Sequence, residues 1–201
     1  VTVENSGIVT TSAGADGSVA LTSDNGQVTV QGFGIQTGGT DGHVDIDAQT
    51  DILITLNGIS TTAATANSSV ALTAATGQVT IQGNGVRTAG TDGHVDVDAQ
   101  TDLLVTDNGI NTTAGTGNTS VTLTAAAGQV TIQSSGVRTA GTDGHVDVDA
   151  QTDILVTGSG INTSAGTGDT SVDLTAAAGQ VTIQGSGIIT GGTDGHVDID
   201  A

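Results

Sequence analysis

The sequence predicts an all-β protein that folds as a parallel β-helix, a solenoid with three short strands in each rung. Val, Ile, Leu and Ala recur in short alternating runs rather than at helical spacing. Four histidines, at positions 43, 94, 145 and 196, are separated by a constant 51 residues, and a fixed period is the signature of a repeat architecture. Gly, Asn, Asp, Ser and Thr fill the segments between the runs, as turns require.

The composition limits the core and the cofactors. The 201 residues include no Pro, Cys, Met, Trp or Tyr and only one Phe, so aliphatic side chains must build the core. The lack of Cys excludes disulfides and thiolate metal sites. The longest nearly apolar run, residues 52–56, is far too short to cross a bilayer, so we expect no membrane insertion.

The charge balance limits the partners. Twenty-one acidic residues face two arginines, for a net charge of −19. Such a chain cannot neutralise phosphates, so we expect no nucleic-acid partner and regard cations as the natural partners. High acidity also occurs in disordered chains, but regular β-branched alternation is not typical of them.

Residues 1–201 form one repeat array in which each histidine lies in the motif Thr-Asp-Gly-His-Val-Asp-(Ile/Val)-Asp-Ala. A Gly followed by Ile or Val recurs at positions 7, 34, 58, 85, 109, 136, 160 and 187. The spacing alternates between 27 and 24, which predicts alternating long and short rungs. The resulting 51-residue double-rung units are 7–57, 58–108, 109–159 and the incomplete 160–201. At about 4.8 Å per rung, about eight rungs make a rod about 38 Å long.

Three strands are predicted in every rung. They cover 7–11, 18–22 and 27–31 in the first long rung, and 34–37, 43–47 and 51–55 in the first short rung. The period of two directs one set of side chains inward: Val19, Leu21, Val28 and Val30, then Val44, Ile46, Ile52 and Ile54. No rung can bury this face alone, so stacking must supply the core.

Two polar columns are expected to stack along the rod. The residue before each rung-opening Gly is mostly small and polar, and Asn at such a corner can form a ladder: Ser6, Phe33, Asn57, Asn84, Asn108, Ser135, Ser159 and Ser186. The second column is an unbroken series of threonines: Thr10, Thr37, Thr61, Thr88, Thr112, Thr139, Thr163 and Thr190.

Residues 69–88 and 120–139 share the pattern Ser-Val-x-Leu-Thr-Ala-Ala-x-Gly-Gln-Val-Thr-Ile-Gln-x-x-Gly-(Ile/Val)-x-Thr. This pattern resembles the repeats of filamentous-haemagglutinin-like bacterial adhesins and large exoproteins, over essentially the whole chain. The resemblance implies a right-handed β-helix, secretion, and a location outside the cell or on the bacterial surface as a stalk or fibre. It identifies no adhesive target and no binding residue. We expect the chain to be a piece of a longer protein, because it does not begin with Met and both ends fall within the repeat pattern.

The sharpest chemical feature is an outward row of one His and two Asp in each short rung: His43, Asp45 and Asp47; His94, Asp96 and Asp98; His145, Asp147 and Asp149; His196, Asp198 and Asp200. Long rungs mostly carry Ala or Thr there, so the rows should lie about 9.6 Å apart, too far for one ion to bridge. Three interpretations remain open: a solvated acidic coat, Ca²⁺ or cross-linking cation sites, and a His-based transition-metal site. No cofactor is required by any motif. The histidines are candidates for a pH-responsive face.

Asp173 breaks this spacing because it replaces the Ala or Thr of the other long rungs. Asp147, Asp173 and Asp198 should therefore stand in successive rungs about 4.8 Å apart. Like charges that close disfavour ionisation or recruit a cation, so these three residues are the best candidate for a bound ion.

A second outward column alternates Thr with leucines: Leu53, Leu104 and Leu155. These leucines mark either a lateral contact with a neighbouring rod or isolated apolar side chains of no special meaning. Threonine-rich β-helix faces can also bind ice, but Leu, Asp or Gln interrupts every candidate face.

We expect no enzymatic activity, because catalytic groups break a repeat whereas the Asp, His and Arg residues here follow it. The expected function is a structural rod of a bacterial surface or extracellular filament, either an adhesin stalk or a self-assembling fibre, tuned by divalent cations. Its expected partner is itself, end to end or side by side. The alternative is a repeated Ca²⁺-binding or other cation-binding module, with an ice-binding protein as a weaker alternative.

Overall fold

The computed structural model describes residues 1–5, 7–11, 17–63, 67–114, 116–165 and 167–201. Within these residues the chain forms 24 β-strands and no helix. The strands pair in parallel into three eight-stranded sheets, and each sheet takes one strand from every turn of the coil. The predicted β-solenoid of about eight rungs with three strands per rung is confirmed. Its right-handed sense stays a prediction.

We call the three sheets A, B and C. Sheet A contains β1 (Thr2–Val3), β4 (Val28–Val30), β7 (Ile52–Ile54), β10 (Val79–Ile81), β13 (Leu103–Val105), β16 (Val130–Ile132), β19 (Ile154–Val156) and β22 (Val181–Ile183). Sheet B contains β2 (Ile8–Thr11), β5 (Ile35–Gly39), β8 (Ile59–Ala63), β11 (Val86–Gly90), β14 (Ile110–Ala114), β17 (Val137–Gly141), β20 (Ile161–Ala165) and β23 (Ile188–Gly191). Sheet C contains β3 (Gly17–Ser23), β6 (Gly42–Ala48), β9 (Ser68–Ala74), β12 (Gly93–Ala99), β15 (Thr119–Ala125), β18 (Gly144–Ala150), β21 (Thr170–Ala176) and β24 (Gly195–Asp200).

The registers show where each long rung accommodates its extra residues. In sheet A, Ile54 is closer in sequence to its partner in the preceding rung, Val30, than to its partner in the following rung, Ile81. In sheet C, a strand is almost as far along the chain from its partner strand in the preceding rung as from its partner strand in the following rung. The extra residues therefore fall between strands at two places along the chain: four residues separate β8 from β9 but two separate β11 from β12, and four separate β9 from β10 but three separate β12 from β13.

The core is a continuous aliphatic column along the axis. The predicted inward side chains are buried: Val19, Val28, Val30, Val44, Ile46, Ile52 and Ile54. Leu21 is only partly buried but packs against this core, because β3 is an edge strand of sheet C. The alternation predicted from the sequence therefore assigns the faces correctly.

The predicted threonine column is in register along sheet B and lies inside the solenoid. Thr61, Thr88 and Thr112 are at most 1% exposed. Their hydroxyl oxygens have no hydrogen-bond partner among the described residues. The hydroxyl of Ser68 is also buried, but it donates to the carbonyl of Ala89 at 2.8 Å and accepts from the amide of Ala63 at 3.2 Å.

We expect this difference between hydroxyls to appear in stability. Thr112→Val keeps the side-chain volume and removes an unpartnered buried hydroxyl, so it should raise the free energy of unfolding by about 1 kcal/mol. Ser68→Ala removes a bonded hydroxyl and should lower the free energy of unfolding by about 1 to 2 kcal/mol. Urea denaturation followed by circular dichroism measures both. Equal destabilisation by the two substitutions would contradict the difference in hydrogen bonding between the hydroxyls of Thr112 and Ser68.

The polar corner column lies where sheet A turns into sheet B, and part of it forms an asparagine ladder. The side-chain amide of Asn84 donates to Oδ1 of Asn57 at 3.0 Å, and that of Asn108 donates to Oδ1 of Asn84 at 3.2 Å. The predicted ladder is confirmed for these three residues. Ser135 and Ser159 continue the column with shorter side chains, and Ser6 lies outside the described residues.

Candidate functional site

The His-Asp-Asp rows lie on the outer face of sheet C. In β6, the buried Val44 and Ile46 point inward, so the alternating His43, Asp45 and Asp47 point outward. The paired registers repeat this arrangement along the sheet. All the predicted members of the His-Asp-Asp rows are exposed or half-buried on this face: His43, Asp45, Asp47, His94, Asp96, Asp98, His145, Asp147, Asp149, His196, Asp198 and Asp200.

The predicted spacing of the rows is confirmed in the middle of the rod. Asp96 pairs with Ala71 on one side and Thr122 on the other. Successive rows are therefore separated by two strand spacings, about 9.6 Å. A single ion does not bridge two such rows.

A contact that sequence reasoning missed joins each of three histidines to a serine of the following long rung. Nδ1 of His43 hydrogen-bonds with Oγ of Ser69 at 2.6 Å, and Nδ1 of His94 with Oγ of Ser120 at 2.6 Å. His145 and Ser171 form the same pair. The sequence carries a signal for this contact, because a serine in every long rung aligns with the histidine of the short rung. Histidine and serine thus alternate along sheet C.

The spacing changes at Asp173, as predicted. Asp147 pairs with Asp173, which pairs with Asp198, in three successive strands. The ligand atoms of Asp173, His196 and Asp198 all lie within 4.8 Å of one another, and Nδ1 of His145 lies 3.9 Å from Oδ2 of Asp173. The structure therefore brings Asp173 and Asp198 together, and His196 rather than Asp147 completes the group. We call Asp173, His196 and Asp198 the terminal cluster.

Two carboxyl groups of the rows are shifted by their surroundings. Partial burial raises the pKa of Asp147, and the charges of Asp149 and Asp173 raise it further, against the lowering effects of His145 and of a backbone hydrogen bond. Partial burial and the charge of Asp98 raise the pKa of Asp96 in the same way. Ionisation of these two carboxyl groups therefore destabilises the folded state.

We expect Asp147→Asn to stabilise the protein at pH 7. Because the pKa of Asp147 is raised in the folded state, ionisation of this group lowers the free energy of unfolding by its full amount above the folded-state pKa. This loss is relieved as the pH falls through the folded-state pKa toward the pKa of the unfolded state, about 3.9. The substitution should raise the free energy of unfolding at pH 7 and weaken its increase on acidification. Asp24→Asn changes the net charge equally and is the control. Equal stabilisation by the two substitutions in thermal unfolding between pH 4 and 7 would contradict the prediction.

The acids that flank the rows have a structural role. Oδ1 of Asp41 accepts the amide of Asn67 at 3.1 Å, and Oδ1 of Asp51 accepts the amide of Gln78 at 3.0 Å. Their copies do the same: Asp92, Asp143, Asp102 and Asp153. These carboxylates join the turns of successive rungs.

The side chains around His145 lack the geometry of a Ser-His-Asp relay. Ser171 and Asp173 both face Nδ1 of the imidazole ring. A catalytic relay requires the serine and the aspartate to contact different ring nitrogens. The contacts of His145 therefore make a structural hydrogen-bonded column, and the lack of enzymatic activity stays a prediction.

The predicted leucine column lies on the outer face of sheet A. Leu53, Leu104 and Leu155 alternate in register with threonines and are half-buried rather than fully exposed. A lateral contact through these leucines stays a prediction.

Comparison of the chain with known proteins gives no family assignment. Within the described residues, no helix has the length and apolar character that crossing a membrane requires. No family model, curated protein or solved structure matches this sequence or fold.

Proposed function

We propose that this chain is a structural rod of a bacterial cell-surface or extracellular filament, as the stalk of an adhesin or as a self-assembling fibre. The observation that carries the proposal is that three eight-stranded parallel sheets enclose one continuous aliphatic core. Each rung repeats the pairing of the rung before it, so the length can grow with repeat number at constant cross-section. The resemblance to filamentous-haemagglutinin-like repeats supports the extracellular location.

The composition supports durability outside the cell. The chain contains no Lys, two Arg and one Phe, so it offers few sites to proteases that cleave after basic or aromatic residues. Ladder hydrogen bonds also occupy most strand amides of the inner rungs. A rod with these properties resists digestion.

Each sheet has an unpaired strand edge at each end of the stack. The inward side chains of the last strands are exposed, with Ile183 at 39% and Ile199 at 44%. Unpaired strand edges are templates for further pairing. A further rung, from the same chain or from a second copy, would cover these side chains.

Electron microscopy of the purified chain in millimolar Ca²⁺, and again after chelation, tests the proposal. Long uniform fibres that survive chelation support a structural filament with an acidic coat. Fibres that dissolve on chelation support a filament whose assembly depends on cations. Short rods in both conditions contradict self-assembly, and collapsed particles without rods contradict the structural function.

A second candidate function is cation binding, which the geometry of the terminal cluster favours. Two carboxylates and one imidazole offer ligand atoms within 4.8 Å of one another. Carboxylate oxygens suit Ca²⁺, whereas an imidazole also suits transition metals. The rows of His43 and His94 have Ala or Thr beside each Asp in both neighbouring strands, so they offer fewer converging ligands.

Equilibrium dialysis with radioactive Ca²⁺ distinguishes the two functions. A repeated binding module should take up about one ion per 51-residue unit, whereas the terminal cluster alone should take up a single ion. Asp173→Thr installs the residue found at Thr122 in the preceding long rung, so the fold should be retained. Loss of one bound ion in this variant, but not in Asp24→Asn, supports the cluster; no saturable uptake contradicts cation binding.

A further inference from the structure

A groove on the outer face of sheet B is lined only by hydrogen-bonding side chains. Its volume is about 200 Å³, and its lining residues are Asn108, Asn111, Ser135, Arg138, Ser159 and Asn162. Arg138 pairs with Asn111 on one side and Asn162 on the other. The groove therefore contains one of the two arginines of a chain whose net charge is −19.

The groove exists because the asparagine ladder gives way to serines. Asn84 fills the corner beside Arg87 with an amide bonded to both ladder neighbours. The equivalent residue one unit later, beside Arg138, is Ser135. The shorter side chains of Ser135 and Ser159 leave the space that the groove occupies.

The lining is rich in hydrogen-bond donors. The guanidinium group of Arg138 has donors and no acceptor. The Oδ1 atom of Asn111 is enclosed and has no hydrogen-bond partner among the described residues. The side chains of Asn111 and Asn162, which line the groove, each carry an NH₂ group with two donors. A planar carboxylate matches such donors, because guanidinium binds it through two parallel hydrogen bonds.

We propose that this groove binds a small monocarboxylate, with Arg138 as the anchor and the amides of Asn111 and Asn162 as further donors. The net charge of −19 repels multiply charged anions more strongly than singly charged ones, which selects a single carboxylate. The function is independent of the rod and of the terminal cluster. Neither the packing of the core nor the asparagine ladder requires this groove.

Nuclear magnetic resonance with lactate as the probe, at constant ionic strength, tests the proposal. Lactate should produce saturable shifts of the side-chain amide signals of Asn111 and Asn162 and of the Nε signal of Arg138. The dissociation constant should be about 1 mM. Lactamide, the neutral analogue, should produce none. Phosphate should bind more weakly than lactate.

Three variants use residues that equivalent rungs already carry, so their folding is not at risk. Arg138→Gln copies Gln36 and Ser135→Asn copies Asn84; each should weaken lactate binding by at least about tenfold. Arg87→Gln removes the other arginine, about 9.6 Å away, and should leave the affinity within about twofold. Equal shifts with lactamide, retained binding in Arg138→Gln, or an equal loss in Arg87→Gln would overturn the proposal.

Discussion

Replacing Gly85 with Ala is expected to lower the free energy of unfolding by about 3 kcal/mol. A Cβ atom at this position would lie 2.3 Å from Cγ2 of Ile81 and 2.5 Å from the carbonyl oxygen of Gly109. The first atom belongs to the core, and the second accepts the amide of Val86 at 2.8 Å. Relief of the clash must therefore disturb either the packing of the core or the pairing of two rungs.

Gly26→Ala is the matched control for Gly85→Ala. The nearest atom to a Cβ at position 26 is Oγ of Ser23 at 3.8 Å, an ordinary contact. This substitution should change the free energy of unfolding by less than about 0.5 kcal/mol. Denaturant unfolding of both variants provides the comparison, and a Gly85→Ala variant as stable as the control would show that the rungs are not this closely stacked.

Leu123→Ala is expected to lower the free energy of unfolding by about 3 kcal/mol, as is typical of a large-to-small change in a packed core. Leu123 is 0% exposed and points inward from sheet C. Leu104→Ala makes the same chemical change on the outer face of sheet A, where the leucine is half-buried. Its effect should be less than about 1 kcal/mol.

The leucine pair tests the assignment of faces independently of the glycine pair. Both variants can be followed by thermal unfolding under identical conditions. Similar losses of stability in the two variants would contradict the assignment of Leu123 to the inner face and Leu104 to the outer face. A larger loss in Leu104→Ala would indicate the opposite assignment.

The sequence alone is sufficient for the architecture because two periods act together. The period of two in runs such as Val95 and Val97 assigns the faces, and the alternation of long and short intervals assigns the rungs. Each predicted pairing of Asp147, Asp173 and Asp198 follows from those periods. Repeat proteins favour such reasoning, because neighbouring rungs repeat one local pattern.

The parts that sequence reasoning missed depend on side-chain reach rather than on register. The pairing of His94 with Ser120 could be predicted, but the hydrogen bond between them depends on their rotamers. The sequence indicates that Asp51 is a corner acid beside the acidic rows, but only the turn geometry shows that it accepts the amide of Gln78. The groove beside Arg138 depends on the difference in length between Asn and Ser.

Disulfide trapping between rungs tests the alternating stack most directly, since the chain has no Cys of its own. Thr80 pairs with Leu53 in the preceding rung and with Leu104 in the following rung. Paired strands lie about 4.8 Å apart, within the Cα separation of about 4.4 to 6.8 Å that a disulfide spans.

We therefore expect the double variants Leu53→Cys with Thr80→Cys, and Thr80→Cys with Leu104→Cys, to form intramolecular disulfides under mild oxidation. If every rung were as long as the one that separates Leu53 from Thr80, Thr80 would instead pair with Asp107, which lies as far after Thr80 in sequence as Leu53 lies before it. Asp107 follows the end of β13, so Thr80→Cys with Asp107→Cys should stay reduced. Mass spectrometry of the oxidised proteins distinguishes these results. Trapping of the 80–107 pair in place of the 80–104 pair would contradict the alternation of long and short rungs.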